Sequence, residues 1–293
     1  MESRPTVVFT LIAAIIIASL AAGAFVASLG LEKAPDVPEL VEKPQLPGWR
    51  LASLPDFSQY SAGPERKQAF FGFLFPRIAL ANLEILRQRA GVRALQRIDT
   101  LSEGQKQWLK GHAERLRVDM QSDAFFEQLL ERLDIIPPSL VMAQAANESA
   151  WGTSRFARRG NNLFGQWCFT RGCGIVPGQR PEGRTYEVEA FKHPYASIEA
   201  YLTNLNRHNA YSALRALRQG ARQRGEFPAG KHLAGGLERY SERGKRYVRE
   251  IRSMIEFNEL GAYDSRLQQV IDSEFPIAAL GKAVDDYRQE FAE

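Results

Sequence analysis

The sequence predicts a mainly α domain with one small β excursion, set behind an apolar N-terminal segment. Three observations lead there. Apolar residues recur at helical spacing in "PERKQAFFGFLFPRIALANLEILRQRAGVRAL" and through most of the chain after it. Between Gly160 and Ala190 that period is lost, Gly, Pro and Asn are dense, and "RTYEVEAF" alternates as a short strand does. The run from Thr6 to Leu31 carries no charge and has no polar face.

That run exceeds the roughly 20 apolar residues that cross a bilayer and the roughly 7–15 of a signal-peptide core. With Arg4 before it, residues 1–31 are expected to be an uncleaved signal-anchor with a cytoplasmic N-terminus. Small-residue sites such as "AAGAF" keep a cleaved signal peptide as the alternative. In both cases the rest of the chain is exported. Residues 32–63 follow, rich in proline in "EKAPDVPELVEKPQLPGWRLASLPDF", and read as a stiff spacer.

Residues 64–134 form a helical region in this reading. Pro76 marks a kink in its first helix. "LSEGQKQWLKGHAERLRVD" opens with Ser102 and Gln105 at capping-box spacing. "SDAFFEQLLERLDI" starts behind Ser122 and stops before Pro137-Pro138. Residues 135–260 are expected to form the main domain. It opens on a helix with Pro138 in the first turn and Ser139 near the cap, passes through the β excursion, and returns to helix in "SIEAYLTNLNRHNAYSALRALRQ" and "YSERGKRYVREIRSMIEFNEL". Residues 261–293 are left as one more helix or a loosely ordered tail.

Composition bounds the function. The 293 residues, 44% hydrophobic and 25% charged, suffice for one large or two small folded domains. A net charge of +4 suits an anionic partner such as a membrane surface, a wall polymer or nucleic acid. No basic stripe is interleaved with aromatics, so nucleic acid is disfavoured. The two cysteines, Cys168 and Cys173 in "WCFTRGCG", are read as a loop-stapling disulfide of an exported protein, with two free thiols as the alternative. Their spacing is not that of a redox motif, and no Cys or His cluster offers a metal site.

One carboxylate stands out. Glu148 closes the Ala-rich helix "SLVMAQAANESA", with Ala145, Gln144 and Val141 on its face and Trp151 just beyond. A carboxyl group there is poorly hydrated, and the end of the helix dipole also disfavours negative charge. A carboxylic acid that keeps its proton is what general-acid cleavage of a glycosidic bond needs. A Glu facing solvent at a helix end is the plain alternative. The next loop, "GNNLFG", sets Asn161, Asn162 and Phe164 between glycines. Amides hold sugar hydroxyls and an aromatic stacks on a pyranose; ordinary turn chemistry also accounts for "NN".

In this order the residues resemble a known family. "AQAANESAWGTSRFARRGNNLFG" is similar to the core motif of the FlgJ-like and autolysin-like N-acetylglucosaminidases, glycoside hydrolase family 73. "QWCFTRGCGIVPGQR", "ASIEAYLTNLNRHNAYSALR" and "RYSERGKRYVREI" resemble the Bax proteins of Gram-negative bacteria. The resemblance runs from Phe70 to Leu260. It implies a lysozyme-like α+β fold, a helical lobe with a small β-hairpin lobe across a cleft. It implies hydrolysis of the β-1,4 bond on the N-acetylglucosamine side of peptidoglycan glycan strands, without a cofactor, with residues 135–260 as the catalytic domain. Joined to the expected anchor, that domain would lie in the periplasm, tethered to the inner membrane. A lytic transglycosylase and a catalytically silent wall-binding protein stay open as alternatives.

The resemblance puts Glu148 at the catalytic acid and Tyr240 near the cleaved bond, where its hydroxyl would orient the N-acetyl group or a water. The second carboxylate is sought in the hairpin. Glu182 in "RPEGRT" is preferred because it precedes a turn, while Glu187 and Glu189 are read as the hairpin's solvent face. Trp151, Asn161, Asn162, Phe164, Tyr195 and Tyr247 are the candidate substrate contacts. Tyr195 and Tyr247 also fit simple packing, as aromatics at helical spacing usually do.

Overall fold

A computed structural model describes residues 45–291. The expected anchor, residues 1–31, and the first part of the expected spacer lie outside the described residues. The architecture is mostly helical with one small sheet, in keeping with a lysozyme-like α+β fold.

The chain begins as a strap. Two short 3-10 turns, Gly48–Leu51 and Phe57–Gln59, are laid on the domain. Phe57 is fully buried, edge-on to Phe70 at 5.2 Å and to Phe73 at 6.1 Å. The described part of the expected spacer is therefore docked, because a buried Phe removes on the order of 150–250 Å² of aromatic surface from water.

Helix α1 (Pro64–Leu95) runs through the core without a break at Pro76. Among the described residues it alone is long and apolar enough to cross a membrane, yet 72% of its apolar window is buried in the fold. Helix α2 (Glu103–Leu116) starts on the full capping box of Ser102 and Gln105. Helix α3 (Phe125–Arg132) packs with α2 and the end of α1 around a second, smaller core. The rest of α1 belongs to the main core.

A charged knot fixes the chain just before the central helix. Asp134 is buried and accepts from two nitrogens of Arg222, Nε at 3.2 Å and Nη2 at 2.9 Å. Arg218, also buried, donates to the carbonyls of Glu131, Asp134 and Ile135 and to Asn206 Oδ1. Asn82 of α1 exchanges two hydrogen bonds with the backbone of Ile136. Helix α4 (Pro138–Ser149) starts from this point, with Pro138 in its first turn as expected. Its neighbours are α1 and three later helices, α8 (Gly230–Leu233), α9 (Lys245–Phe257) and α10 (Gly261–Ile271). That position explains why α4 is buried on nearly every side.

After the short α5 (Arg155–Gly160) comes the β lobe. Strands β1 (Trp167–Cys168), β2 (Gly174–Ile175) and β3 (Glu187–Glu189) form an antiparallel sheet with β3 in the middle. The alternating "RTYEVEAF" supplies β3. Helices α6 (Pro194–Arg207) and α7 (Ser212–Gln223) divide what reads as one periodic stretch, split by a 3-10 turn at Asn209–Tyr211. The tail forms two helices, α10 and α11 (Pro276–Phe291). Helix α11 lies along α1, with Tyr287 against Gly72 and the Tyr60 hydroxyl donating to the Phe291 carbonyl at 2.8 Å. Of the two alternatives for the tail, one more helix or a loosely ordered end, the helical one is nearer, with two helices in place of one.

Burial alone would raise the Asp134 carboxyl, but Arg218, the Arg222 hydrogen bond and Arg89 outweigh it and hold the group below its ordinary range. Asp134→Ala would leave Arg218 buried without its counter-charge, and is expected to cost about 3–5 kcal/mol at pH 7, measured by urea unfolding. A carboxylate lowered by folding stabilises above its unfolded value, about 3.9. The difference between wild type and variant should hold above that pH and shrink as pH falls through the lower folded value.

Candidate active site

Helix α4 can sit at the centre because its face residues Ala143, Ala145 and Ala146 are small, and all three are buried. Its N-terminus is tied down from α10. Asp264 accepts from the Ser139 N–H at 2.8 Å, the Ser139 hydroxyl at 2.6 Å and the Gly230 N–H at 3.0 Å. Pro137 makes no side-chain cap, so Asp264 supplies acceptors that the first turn would otherwise lack.

The other end is a strained turn. Ala150, Trp151 and Gly152 are consecutively left-handed, with φ of 49°, 59° and 77°. Two non-glycine residues in that region are held there by their surroundings. Ser149 is buried; its hydroxyl donates to the Ala145 carbonyl at 2.6 Å and accepts from the Gly152 N–H at 2.8 Å. A Cβ on Gly152 would stand 2.6 Å from the Phe57 ring. Conformation and space both demand glycine, and the turn sets Glu148 at the half-buried rim of the helix.

Glu148 Oε1 accepts from the Tyr247 hydroxyl at 2.8 Å and from Asn147 Nδ2 at 3.0 Å. Among the described residues Oε2 has no hydrogen-bond partner. Tyr247 in turn accepts from Gln144 Nε2 at 2.8 Å, and Gln144 Oε1 accepts from the Tyr201 hydroxyl. Tyr201, Gln144 and Tyr247 are all buried. Their protons run one way, Tyr201 to Gln144 to Tyr247 to Glu148. Burial, the largest influence, pushes the phenols of Tyr201, Tyr240 and Tyr247 well up, so all three stay protonated donors.

Two stacked pairs wall this chain. Tyr240 lies parallel to Tyr247 at 5.3 Å, and Phe164 parallel to Tyr201 at 3.9 Å. The Tyr240 hydroxyl joins the pairs by donating to the Phe164 carbonyl at 3.2 Å. The structure thus gathers Glu148, Tyr240 and Tyr247 in one place.

Other candidates lie elsewhere. Asn162 is buried, donating to the Gln166 and Glu189 carbonyls at 2.9 Å and accepting from the Phe164 and Gln166 N–H groups. Asn161 ends α5 in a left-handed conformation and donates to the Phe191 carbonyl. These amides follow the turn-chemistry alternative. The Phe164 ring is buried on Tyr201 and presents no open face to a sugar, and Tyr195 is buried in the main core. Trp151 is half-buried, edge-on to Phe71 at 5.4 Å, with the Lys67 ammonium 5.3 Å above its ring.

In the β lobe, Cys168 and Cys173 are joined in a disulfide. Glu187 corrects its solvent-face reading: it is buried and accepts from the Gly172 and Gly174 N–H groups at 3.0 and 2.8 Å. Those bonds hold its carboxyl below the ordinary range. Glu189 is half-buried, and burial raises its carboxyl. Glu182 is exposed on a turn and has no hydrogen-bond or ion-pair partner among the described residues. The contributions that the sequence reading missed are Gln144 and Tyr201. Their signal was chemical: an amide inside an otherwise apolar helix must find partners for both its ends.

The family described as mannosyl-glycoprotein endo-beta-N-acetylglucosaminidase matches residues 124–260. The chain is also similar to Protein bax of Escherichia coli (strain K12), 35% identical over 211 residues, which cover 71% of this chain and 75% of that protein. No solved structure matches.

Tyr247→Phe removes the donor to Glu148 and leaves Gln144 Nε2 buried without an acceptor. It is expected to lower unfolding stability by about 1–3 kcal/mol, measured by denaturant titration. Tyr201→Phe likewise leaves Gln144 Oε1 without its donor, so a double-mutant cycle should show coupling of about 0.5–3 kcal/mol between the two tyrosines.

Proposed function

The chain belongs to the glucosaminidase family, and we propose that it hydrolyses the β-1,4 bond on the N-acetylglucosamine side of peptidoglycan glycan strands, with Glu148 as general acid. The observation that carries this reading is the directed hydrogen-bond chain ending on Oε1. It holds one carboxyl oxygen and leaves Oε2 to carry the transferable proton.

Oε2 protonates the bridging oxygen as the bond to the anomeric carbon breaks, and an oxocarbenium-like state develops. The charge left on the carboxylate stays within reach of the Tyr247 hydroxyl and the Asn147 amide. Tyr240 orients the N-acetyl group or the incoming water through its oxygen, while the Phe164 carbonyl holds its proton. Glu182 is the candidate to activate water, since Glu187 is engaged by two backbone N–H groups. If the sugar's own acetamido oxygen attacks instead, no hairpin carboxylate is needed. The enzyme works in the periplasm, tethered to the inner membrane through residues 6–31.

The lytic-transglycosylase alternative rests on a Glu-Ser pair that those enzymes share, here Glu148-Ser149. The Ser149 hydroxyl is buried and bonded to backbone on both sides, which argues for a structural part in the turn.

Glu148→Gln is expected to lower the rate of sacculus digestion by about 10²–10⁴-fold while binding persists. Mass spectrometry of wild-type digests should find reducing N-acetylglucosamine ends; 1,6-anhydro-muramic ends would transfer the protein to the transglycosylases. Glu182→Gln should cost about 100-fold or more if that carboxylate activates water. An unchanged rate with net retention at the anomeric carbon would assign the step to the acetamido oxygen.

A further inference from the structure

A groove of about 830 Å³ starts at Asn147 and Trp151, the residues on either side of Glu148, Ser149 and Ala150, and follows the outer face of α9. Helix α9 turns Tyr247, Val248, Ile251 and Ile255 inward. Residues on its opposite side, Arg246, Arg249, Glu250, Ser253 and Phe257, therefore face the groove. Arg243 and, from α1, Lys67 complete the basic lining.

The charge is lopsided: four basic groups meet one carboxylate. Glu250 already pairs with both Arg243 and Arg246. Arg249 is exposed and has no acidic partner among the described residues. Lys67 rests its ammonium over two rings, Trp151 at 5.3 Å and Phe257 at 4.6 Å, and has no carboxylate within ion-pair distance among the described residues. Phe257 is 80% exposed, a large aromatic with an open surface at the end of the groove.

We propose that this groove is a subsite for the carboxylate-bearing peptide stem carried by the muramic acid beside the cleaved bond. The inference rests on the function proposed above and adds what that reading leaves open, the peptide state of the preferred glycan. Uncharged N-acetyl sugars have no use for two uncompensated cations, whereas a stem peptide brings several carboxylates. The dimensions agree. From Arg246 to Phe257 the helix rises about 16 Å at 1.5 Å per residue, the reach of an extended peptide of about five residues. The groove begins beside the catalytic turn, where a substituent of the bound sugar would leave the cleft. Anionic lipid headgroups share the charge but not a chain that starts at the bound sugar.

The test compares kcat/KM of the full-length protein on peptide-bearing glycan strands and on the same strands stripped by an amidase, which keep only the lactyl carboxylate. Wild type should prefer the peptide-bearing strands. Arg249→Glu and, independently, Ser253→Glu should each cut that preference about fivefold. Arg249→Lys should keep it, and raising salt from about 0.05 to about 0.5 M should shrink it. Equal ratios in wild type and both acidic variants would overturn the subsite. So would an unchanged ratio with Arg249-dependent binding to phosphatidylglycerol vesicles, which would make the face a membrane contact. Co-sedimentation of the Glu148→Gln protein with the two kinds of strand reads the preference without turnover. A retained binding preference with no digestion by wild type would sink the hydrolase reading alone; digestion without preference would sink the subsite alone.

Discussion

One side-chain chain decides how this site is built: Tyr201 to Gln144 to Tyr247 to Glu148. It ties three helices, α6, α4 and α9, through three buried side chains, and ends on the half-buried Glu148. In a low-dielectric interior such bonds are strong when complete and expensive when broken. Every member also has a set direction. The two phenols remain protonated, so each donates; the amide must accept at Oε1 and donate at Nε2. Glu148 thus accepts a hydrogen bond at Oε1 from inside the fold.

Other features of the neighbourhood follow from holding that chain in place. Alanines on α4 bring α9 near enough for Tyr247 to bridge Gln144 and Glu148. Asp264 fixes one end of α4 and the Ser149 turn fixes the other, so the helix has little freedom to slide. Phe57 closes the space beneath the turn, which is why position 152 has no room for a side chain. The paired rings of Phe164 with Tyr201 and Tyr240 with Tyr247 shield the bonds and brace the phenols. The β lobe is organised separately, by a disulfide and by Glu187 closing on two backbone N–H groups of the same loop.

Local signals carried much of this in the sequence. The Ser102–Gln105 box, Pro138 in the first turn of α4, the short strand in "RTYEVEAF" and the carboxylate at the end of an Ala-rich helix were all readable from spacing. What side a residue faces was not. Asn162 and Phe164 have the residue types of a sugar site, yet four backbone hydrogen bonds and a stacked Tyr201 turn them into the fold. Tyr247 was readable as core and is core; that its hydroxyl also ends on Glu148 depends on how α9 meets α4. Proline density made the strap look like a free spacer, because the burial of Phe57 is a tertiary event. The split between α6 and α7 likewise breaks a periodic pattern that sequence alone would continue.

The strap and the last helix meet across α1, where Tyr60 holds the Phe291 carbonyl. The stretch that matches the family, residues 124–260, stops short of both. A fragment cut to that likeness would lose Phe57 and Phe70 under the 150–152 turn, the Asp264 acceptors at the start of α4, and the whole of α1 and α11. The borders of the family match and the borders drawn by packing do not coincide in this protein. Among the described residues, what covers the central helix comes from before that stretch and from after it.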